Sequence, residues 1–170
     1  MPTIGVSVAV PEPWGRQLQD YRIGLGDELA RHIPTHITLL PPHEVETDEI
    51  DAIVSHLGAV AAAMPAFGVH LRGTGSFRPV SPVVFVGVVE GISGCEQLAS
   101  QVQCGPLHID RTFPYHPHVT VAHELADDVL DRAFEDLADF DAAFDVTAMW
   151  MYLHDDASGW QPARSFALRG

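Results

Sequence analysis

The sequence predicts an α+β fold built from two similar lobes, and three observations support this prediction. Short stretches of alternating apolar residues, typical of strands, are interspersed with stretches that repeat with the period of a helix. A strand of one unusual design occurs twice, as His36-Ile37-Thr38 and as His118-Val119-Thr120, about half the chain apart. Each copy precedes a predicted helix. We therefore expect a pseudo-duplicated architecture of two lobes.

The first half of the chain is predicted to form two strands and two helices. Residues 3–10 place an apolar side chain at every second position, which is typical of a strand. Residues 13–29 carry an apolar stripe at helical spacing, and Pro13 suits the first turn of a helix. The first His/Thr strand is predicted to end at residues 41–42, which are both proline. A second helix is expected over about residues 47–63.

The second half repeats this alternation of strands and helices. The continuous apolar run 83–89 predicts a central strand that is buried on both faces. Residues 93–96 match the capping box that begins many helices. The second His/Thr strand comes next, and a helix is expected over about residues 126–137. A long alternating strand over residues 144–152 and a last strand around Phe166 complete the predicted fold.

The composition is that of an ordinary globular protein. Apolar residues make up 46% of the chain and charged residues 19%. No apolar run approaches the ~20 residues of a membrane-spanning helix, and residues 1–10 lack the features of a signal peptide. Two cysteines, Cys95 and Cys104, suggest neither a disulfide scaffold nor a zinc site. We expect one cytoplasmic domain over residues 1–170, monomeric by default and without membrane association.

The charge balance restricts the kind of partner. Nine basic residues stand against 23 acidic ones, for a formal net charge of −14. Proteins that hold long nucleic acids depend largely on basic contacts to phosphates. We therefore expect no extended nucleic-acid binding. A small phosphate substrate in a local pocket is compatible with this composition.

The two His/Thr pairs are the candidate catalytic residues. Successive side chains of a strand point to opposite faces, so His36 and Thr38 share one face and Ile37 lies on the other. The apolar face packs on a core, whereas the polar face has no such role. Two imidazoles brought face to face by a duplicated fold would form an acid/base pair, because the pKa of histidine lies near the working pH. The simplest alternative is a pair of polar faces on half-exposed sheets.

The segments Pro-Thr-His-Ile-Thr-Leu-Leu and His-Pro-His-Val-Thr-Val resemble the twin H-x-T/S signature of the two-histidine phosphoesterase superfamily. That superfamily includes the RNA 2′,3′-cyclic phosphodiesterases often labelled 2′-5′ RNA ligases. The resemblance covers essentially the whole chain. It implies duplicated, pseudo-twofold antiparallel sheets with flanking helices and a central cleft, entered by one motif from each lobe. It also implies hydrolysis of 2′,3′-cyclic phosphates on nucleotides or RNA ends, with 2′-5′ joining as the reverse reaction.

The resemblance assigns a role to each motif residue. His36 and His118 become the acid/base pair, and Thr38 and Thr120 donate hydrogen bonds to phosphate. Which histidine is the base stays open, and the mechanism requires no metal or cofactor. Some relatives carry a basic residue five positions after the second motif histidine, where this chain has His123. A protonated His123 is predicted to bind phosphate, and this departure, with the acidic charge, favours a small phosphodiester over long RNA.

The sequence is also compatible with two other functions. The ten histidines suit a metal-dependent hydrolase, although no carboxylate or cysteine completes a familiar ligand spacing. A non-catalytic nucleotide- or RNA-binding relative would keep the cleft without turnover. Among residues outside the motifs, Phe77 and Tyr152 are expected in the core, Tyr115 and His116 are candidates for the mouth of the cleft, and Arg164 is a weaker candidate for positive charge near it.

Overall fold

Two four-stranded antiparallel sheets form the framework of the protein. The computed structural model describes residues 1–110 and 114–170. The strands in these ranges are β1 (Thr3–Ala9), β2 (His36–Glu44), β3 (Phe67–Ser76), β4 (Val83–Glu90), β5 (His118–His123), β6 (Asp141–Val146), β7 (Ala148–Asp155) and β8 (Gly159–Ala167). The helices are α1 (Trp14–Gly24), α2 (Ile50–Ala63), α3 (Ile92–Val102) and α4 (Asp127–Asp136). None of these helices is long and apolar enough to cross a membrane.

Both His/Thr strands occupy the edge of a sheet. The strand order is β2-β1-β7-β8 in the first sheet and β5-β4-β3-β6 in the second. β2 pairs with β1, and β5 pairs with β4 in the same antiparallel manner. The two edge strands lie next to each other, with Cα atoms within 8 Å. This arrangement confirms the predicted two-lobed α+β fold.

Burial of the apolar face determines where the histidines point. Ile37 and Leu39 on β2, and Val119 and Val121 on β5, are completely buried. Helices α2 and α3 pack on the first sheet, while α1 and α4 pack on the second. Burying one such side chain contributes ~1.5–3 kcal/mol, and a one-residue slip would turn it to the opposite face. The register that buries the apolar side chains therefore directs the His/Thr faces away from the core.

Two predicted boundaries in the first half are wrong. α1 ends at Gly24 and does not continue to Leu29, which is 71% exposed. Gly26 has a φ of 103°, which breaks the helix, and a short 3-10 turn follows. β2 continues past its two prolines to Glu44. The two prolines lie where the β1–β2 register shifts, between the pairs Ile4–His43 and Val6–Leu40, and a bulge of this kind accommodates proline.

Two predictions in the second half also need correction. Ser93 lies inside α3, which begins at Ile92, and its hydroxyl accepts a hydrogen bond of 2.9 Å from Gln97. It therefore does not cap the helix. The long strand predicted over residues 144–152 is two strands, since β6 ends and β7 begins on either side of Thr147. The chain passes there from the second sheet to the first, and the alternating pattern continues across the change.

Candidate active site

His36 and His118 are held by the same hydrogen bond in the two lobes. The Nδ1 of His36 lies 2.6 Å from the carbonyl oxygen of Pro34, and the Nδ1 of His118 lies 2.7 Å from that of His116. A carbonyl oxygen only accepts, so each Nδ1 carries a proton and donates it. In the neutral ring, Nε2 then has the free lone pair. Both imidazoles are thus prepared to exchange a proton through Nε2.

Both rings are neutral when the cleft holds no anion. Burial lowers the pKa of His36 below its ordinary value of 6.5, and the charge of Arg22 acts in the same direction. Burial likewise lowers the pKa of His118, and the neighbouring His116 and His36 lower it further. The hydrogen bonds to the carbonyl groups oppose these effects but do not outweigh them. An entering phosphate would favour the protonated form of one ring, since opposite charges stabilise each other.

Two cavities share Thr38; among the described residues the smaller is lined by the first lobe alone, and the larger lies between the two lobes. We name the smaller one, of about 90 Å³, the His36 cavity, and the larger one, of about 730 Å³, the His118 cavity. Sites for drug-sized ligands usually have volumes of ~300–1,000 Å³. The His118 cavity therefore has room for a nucleoside, whereas the His36 cavity has room for a phosphate-sized group. Described residues that line the His118 cavity with Thr38 and His118 include Phe77, Val80, Tyr115 and His116.

Three rings surround the imidazole of His118. The ring of Phe77 meets it edge to face, with centroids 4.9 Å apart and an interplanar angle of 89°. Phe85 and His116 lie at 5.4 Å and 5.9 Å. Edge-to-face pairs of this kind contribute ~0.5–1.5 kcal/mol beyond burial. Phe77 is therefore a half-buried wall of the cleft that orients His118, and the prediction that it packs in the core is wrong.

A glycine on β3 makes this arrangement possible. Gly75 pairs with Phe85 on β4, and a Cβ atom at position 75 would lie 2.5 Å from the phenyl ring. Real Cβ atoms do not approach other atoms so closely, so any larger residue would displace the ring. The absence of a side chain at Gly75 therefore allows Phe85 to pack against His118.

The cleft face of the first sheet contributes residues that the sequence alone did not indicate. Ser7 lies directly opposite Thr38 in the β1–β2 pairing and opposite Trp150 in the β1–β7 pairing. Tyr152 is buried, as predicted, with 8% of its surface exposed, and it also lines the His36 cavity. The alternation in β1 leaves Ser7 on the face opposite its buried valines. The alternation in the sequence therefore indicates the face on which Ser7 lies. Only the strand pairing shows that this face is next to the first motif.

The remaining predicted site residues are Thr120 and His123 on β5 and Arg164 on β8. Thr120 shares its strand and face with His118 and pairs with Phe85 on β4. His123 is the last residue of β5 and lines neither cavity; its Nε2 lies 3.8 Å from a carboxylate oxygen of Glu124. Its predicted role in phosphate binding stays a prediction. Arg164 is exposed beside the ring of Phe166, and no arginine of residues 1–110 or 114–170 lines either cavity.

The described residues contain no set of ligands for a metal-dependent hydrolase. Within residues 1–110 and 114–170, no three His, Cys, Asp or Glu side chains converge on a position for an ion. His116 and His118 lie close together, but Nδ1 of His118 is already bonded to a carbonyl oxygen. A metal-bound histidine commonly makes the same bond through its second nitrogen, so a metal is disfavoured here by the lack of converging ligands in residues 1–110 and 114–170.

Comparison with known families identifies the class of protein. A family model described as the 2′-5′ RNA ligase superfamily matches residues 10–158. Relatives from Bacillus thuringiensis (strain Al Hakam) and Bacillus cytotoxicus, provisionally named phosphoesterases, are 31% and 32% identical over 124 residues. Each alignment covers 69% of this chain and 72% of the relative. The fold and the family match are those of a two-histidine phosphoesterase. The chain belongs to the 2′-5′ RNA ligase superfamily.

Solved structures share the same fold. Escherichia coli LigT complexed with NADP⁺ superposes with a TM-score of 0.72 at 22% identity, covering 99% of this chain and 98% of that one. LigT complexed with 3′-AMP gives 0.68 at 21% identity, with both chains fully covered. A protein from Thermus thermophilus gives 0.68 at 21% identity, covering 100% of this chain and 99% of its own. At these identities the likeness shows the architecture.

Proposed function

We propose that this protein hydrolyses 2′,3′-cyclic phosphates of nucleotides or RNA ends by acid/base catalysis between His36 and His118. The observation that carries the proposal is the matched pair of hydrogen bonds from Nδ1 to the carbonyl groups of Pro34 and His116. These bonds determine the tautomer of both rings. Each ring then has Nε2 available to accept a proton when neutral and to donate one when charged.

The reaction requires one proton to be removed and another to be delivered. A neutral histidine takes a proton from water as the water oxygen forms a bond to phosphorus. The bond between phosphorus and one ribose oxygen breaks, and the protonated second histidine gives its proton to that oxygen. The product is a nucleotide with a 2′- or 3′-phosphate. Hydroxyls of Thr38 and Thr120 would donate to the non-bridging oxygens, whose negative charge increases in the transition state.

The cavities and charge favour a small substrate. The His118 cavity of about 730 Å³ has room for a nucleoside beside Phe77, and the net charge of −14 disfavours a long polyanion. LigT, which shares the fold, has been crystallised with 3′-AMP and with NADP⁺. A mononucleotide or the terminal nucleotide of a short RNA is therefore the preferred substrate, and the protein is proposed to act without a protein partner.

Turnover of the four nucleoside 2′,3′-cyclic phosphates and of short cyclic-ended oligonucleotides, in the presence of EDTA, tests this proposal. We expect His36→Ala and His118→Ala each to reduce kcat/KM by at least ~10²-fold, the typical contribution of a positioned proton-transfer group. His70→Ala is the matched control because His70 bonds Asp141 outside both cavities. Near-normal rates in either motif variant would contradict the proposal. Adding a 5′-hydroxyl oligonucleotide measures the reverse joining reaction in the same samples.

A further inference from the structure

The His36 cavity contains two hydroxyls that the two-histidine mechanism does not use. Ser7 on β1 is 6% exposed and Tyr152 on β7 is 8% exposed, and both line this cavity together with Thr38. Across residues 1–110 and 114–170, neither hydroxyl has a side-chain hydrogen bond. Neither hydroxyl oxygen is among the fully enclosed polar atoms that lack a partner, so both oxygens face the open space of the cavity. Two unpaired hydroxyls in one small cavity therefore indicate a polar ligand.

Strand pairing brings these hydroxyls to the same face as the first motif. Ser7 is directly opposite Thr38, and Tyr152 is directly opposite Gly5, two residues before Ser7 on β1. Side chains of directly paired residues have Cβ atoms ~4.5–5.5 Å apart and share one face of the sheet. Ser7, Thr38 and Tyr152 consequently form one group of three hydroxyls beside His36. We name this group the hydroxyl cluster.

Gly5 and Trp160 limit what the cavity admits. Gly5 has no side chain, and the indole ring of Trp160 lies 3.4 Å from the position that its Cβ would take. The same ring packs against His154, with centroids 4.9 Å apart. The remaining space of about 90 Å³ is well below the ~300–1,000 Å³ of sites for drug-sized ligands. Phosphoryl oxygens fit such a space, whereas a nucleoside does not.

The chemistry of the hydroxyl cluster suits charge that develops during a reaction. No described arginine lines the cavity, so the donors are neutral. Burial raises the pKa of Tyr152, which keeps its phenol protonated and able to donate at neutral pH. Neutral, pre-oriented donors contribute most where an oxygen gains negative charge on the way to the transition state.

We propose that Ser7 and Tyr152 donate hydrogen bonds to one non-bridging phosphoryl oxygen of the substrate and stabilise its charge in the transition state. This inference rests on the proposed function. Thr38 belongs to the same cluster, while Thr120 stands on the other lobe. In this arrangement the hydroxyl cluster of the first lobe binds one non-bridging oxygen. Thr120 of the second lobe binds the other.

The test is to measure kcat and KM of Ser7→Ala and Tyr152→Phe on uridine 2′,3′-cyclic phosphate. The same measurement is made on the Rp and Sp cyclic phosphorothioates, in which sulfur replaces one or the other non-bridging oxygen. Ser55→Ala on the exposed surface of α2 and Tyr21→Phe, whose hydroxyl bonds Asp136, are matched controls. We expect each cluster variant to lower kcat by about tenfold or more with little change in KM, and the controls to match wild type.

The phosphorothioates show whether the lost donors act on one oxygen. Sulfur is a weak acceptor, so wild type should be slow on the diastereomer that presents sulfur to the hydroxyl cluster. On that diastereomer the variants should lose little further activity, because the bond is already missing. The other diastereomer should remain as sensitive to the substitutions as the oxygen substrate. An equal loss on both diastereomers, or an unchanged kcat on the oxygen substrate, would overturn the proposal.

A binding measurement separates this inference from the proposed function. Uridine mixed with orthovanadate forms a five-coordinate mimic of the transition state, and calorimetry reports its affinity without any turnover. In one outcome, wild type turns over no cyclic phosphate while Ser7→Ala and Tyr152→Phe still weaken this binding at least several-fold. That result would support the role of the hydroxyl cluster and contradict the proposed function. If wild type is active and both variants bind the mimic as tightly as wild type does, the proposed role of the hydroxyl cluster is contradicted.

Discussion

The phenolic hydroxyl of Tyr115 donates a hydrogen bond of 2.7 Å to the carbonyl oxygen of Thr38. Tyr115 precedes the second motif, and Thr38 is the threonine of the first, so this bond joins the two halves of the site directly. It lies where β2 and β5 meet edge to edge. Because the motifs come from different lobes, their separation depends on contacts of this kind as much as on the strands themselves.

Replacing Tyr115 by phenylalanine should loosen the junction between the lobes. The change removes the hydroxyl and keeps the ring, so we expect the free energy of unfolding to fall by ~0.5–1.5 kcal/mol. We also expect kcat on cyclic nucleotides to fall, since the spacing of the two histidines becomes less defined. Urea unfolding and steady-state kinetics measure both effects. Tyr21→Phe, which removes a bond to Asp136 away from the cleft, should leave kcat unchanged; an equal loss of kcat there would contradict the positioning role.

Stability should decrease as the pH falls below about 6.5. The folded state lowers the pKa of His36 and of His118, mainly through burial. Between that lowered pKa and the ordinary histidine value of ~6.5, the unfolded chain binds more protons than the folded one. The free energy of unfolding should therefore be largest above pH 6.5 and decrease as the pH drops through the folded-state pKa.

Urea unfolding between pH 4.5 and 7.5, on wild type and on His118→Gln, measures this dependence. Glutamine keeps a polar side chain that does not titrate, so the variant should show a weaker dependence on pH in this window. His70→Gln, at a histidine paired with Asp141 outside the cavities, serves as the comparison. If His118→Gln retained the full wild-type slope, the pH dependence would have to come from other groups.

The ion pair between Arg22 and Asp27 is buried, and breaking it from one side should be costly. Nη2 of Arg22 lies 2.9 Å from a carboxylate oxygen of Asp27, with 7% and 11% of the two side chains exposed. Arg22→Met leaves a buried carboxylate unpaired and should cost ~3–5 kcal/mol. Arg22→Met combined with Asp27→Leu should recover much of this loss because neither charge remains.

The double variant also tests the electrostatic link to the site. The charge of Arg22 contributes to the lowered pKa of His36, so its removal should raise that pKa toward 6.5. Histidine proton resonances followed against pH by NMR measure the change, and His118 serves as the internal comparison, since Arg22 does not contribute to its shift. A double variant less stable than Arg22→Met would contradict the expected role of the pair.

A methyl group at position 75 should disturb the rings around His118. In Gly75→Ala the new Cβ would lie 2.5 Å from Phe85, and such overpacking typically costs ~1–3 kcal/mol. Displacement of Phe85 should also lower kcat, because that ring packs against His118 at 5.4 Å. Gly24→Ala is the matched control, since no atom lies within 4 Å of its Cβ position. Equal stability of the two variants would argue against the tight packing at Gly75.

The errors of the sequence-based interpretation share one physical cause. The end of α1 was missed because the apolar spacing continues to Leu29, although Gly26 adopts a conformation that breaks the helix. The break at Thr147 was missed because the alternation passes unchanged from β6 to β7. Phe77 lies on the wall of the cleft and not in the core, because the local pattern of an aromatic residue beside a strand is the same in both places. The local pattern of a segment indicates whether it forms a helix or a strand. It does not indicate which other element packs against that segment.

The direction of the two motifs follows from the alternation of residues along each strand. Burial of Ile37 and Val119 turns His36 and His118 to the opposite face of each strand, and this follows from alternation alone. The residues that surround those histidines depend instead on how the strands pair and pack. Ser7 faces Thr38, and Tyr115 reaches its carbonyl oxygen, through pairings between segments far apart in the chain. Such pairings depend on the register and packing of whole sheets, which no local pattern encodes.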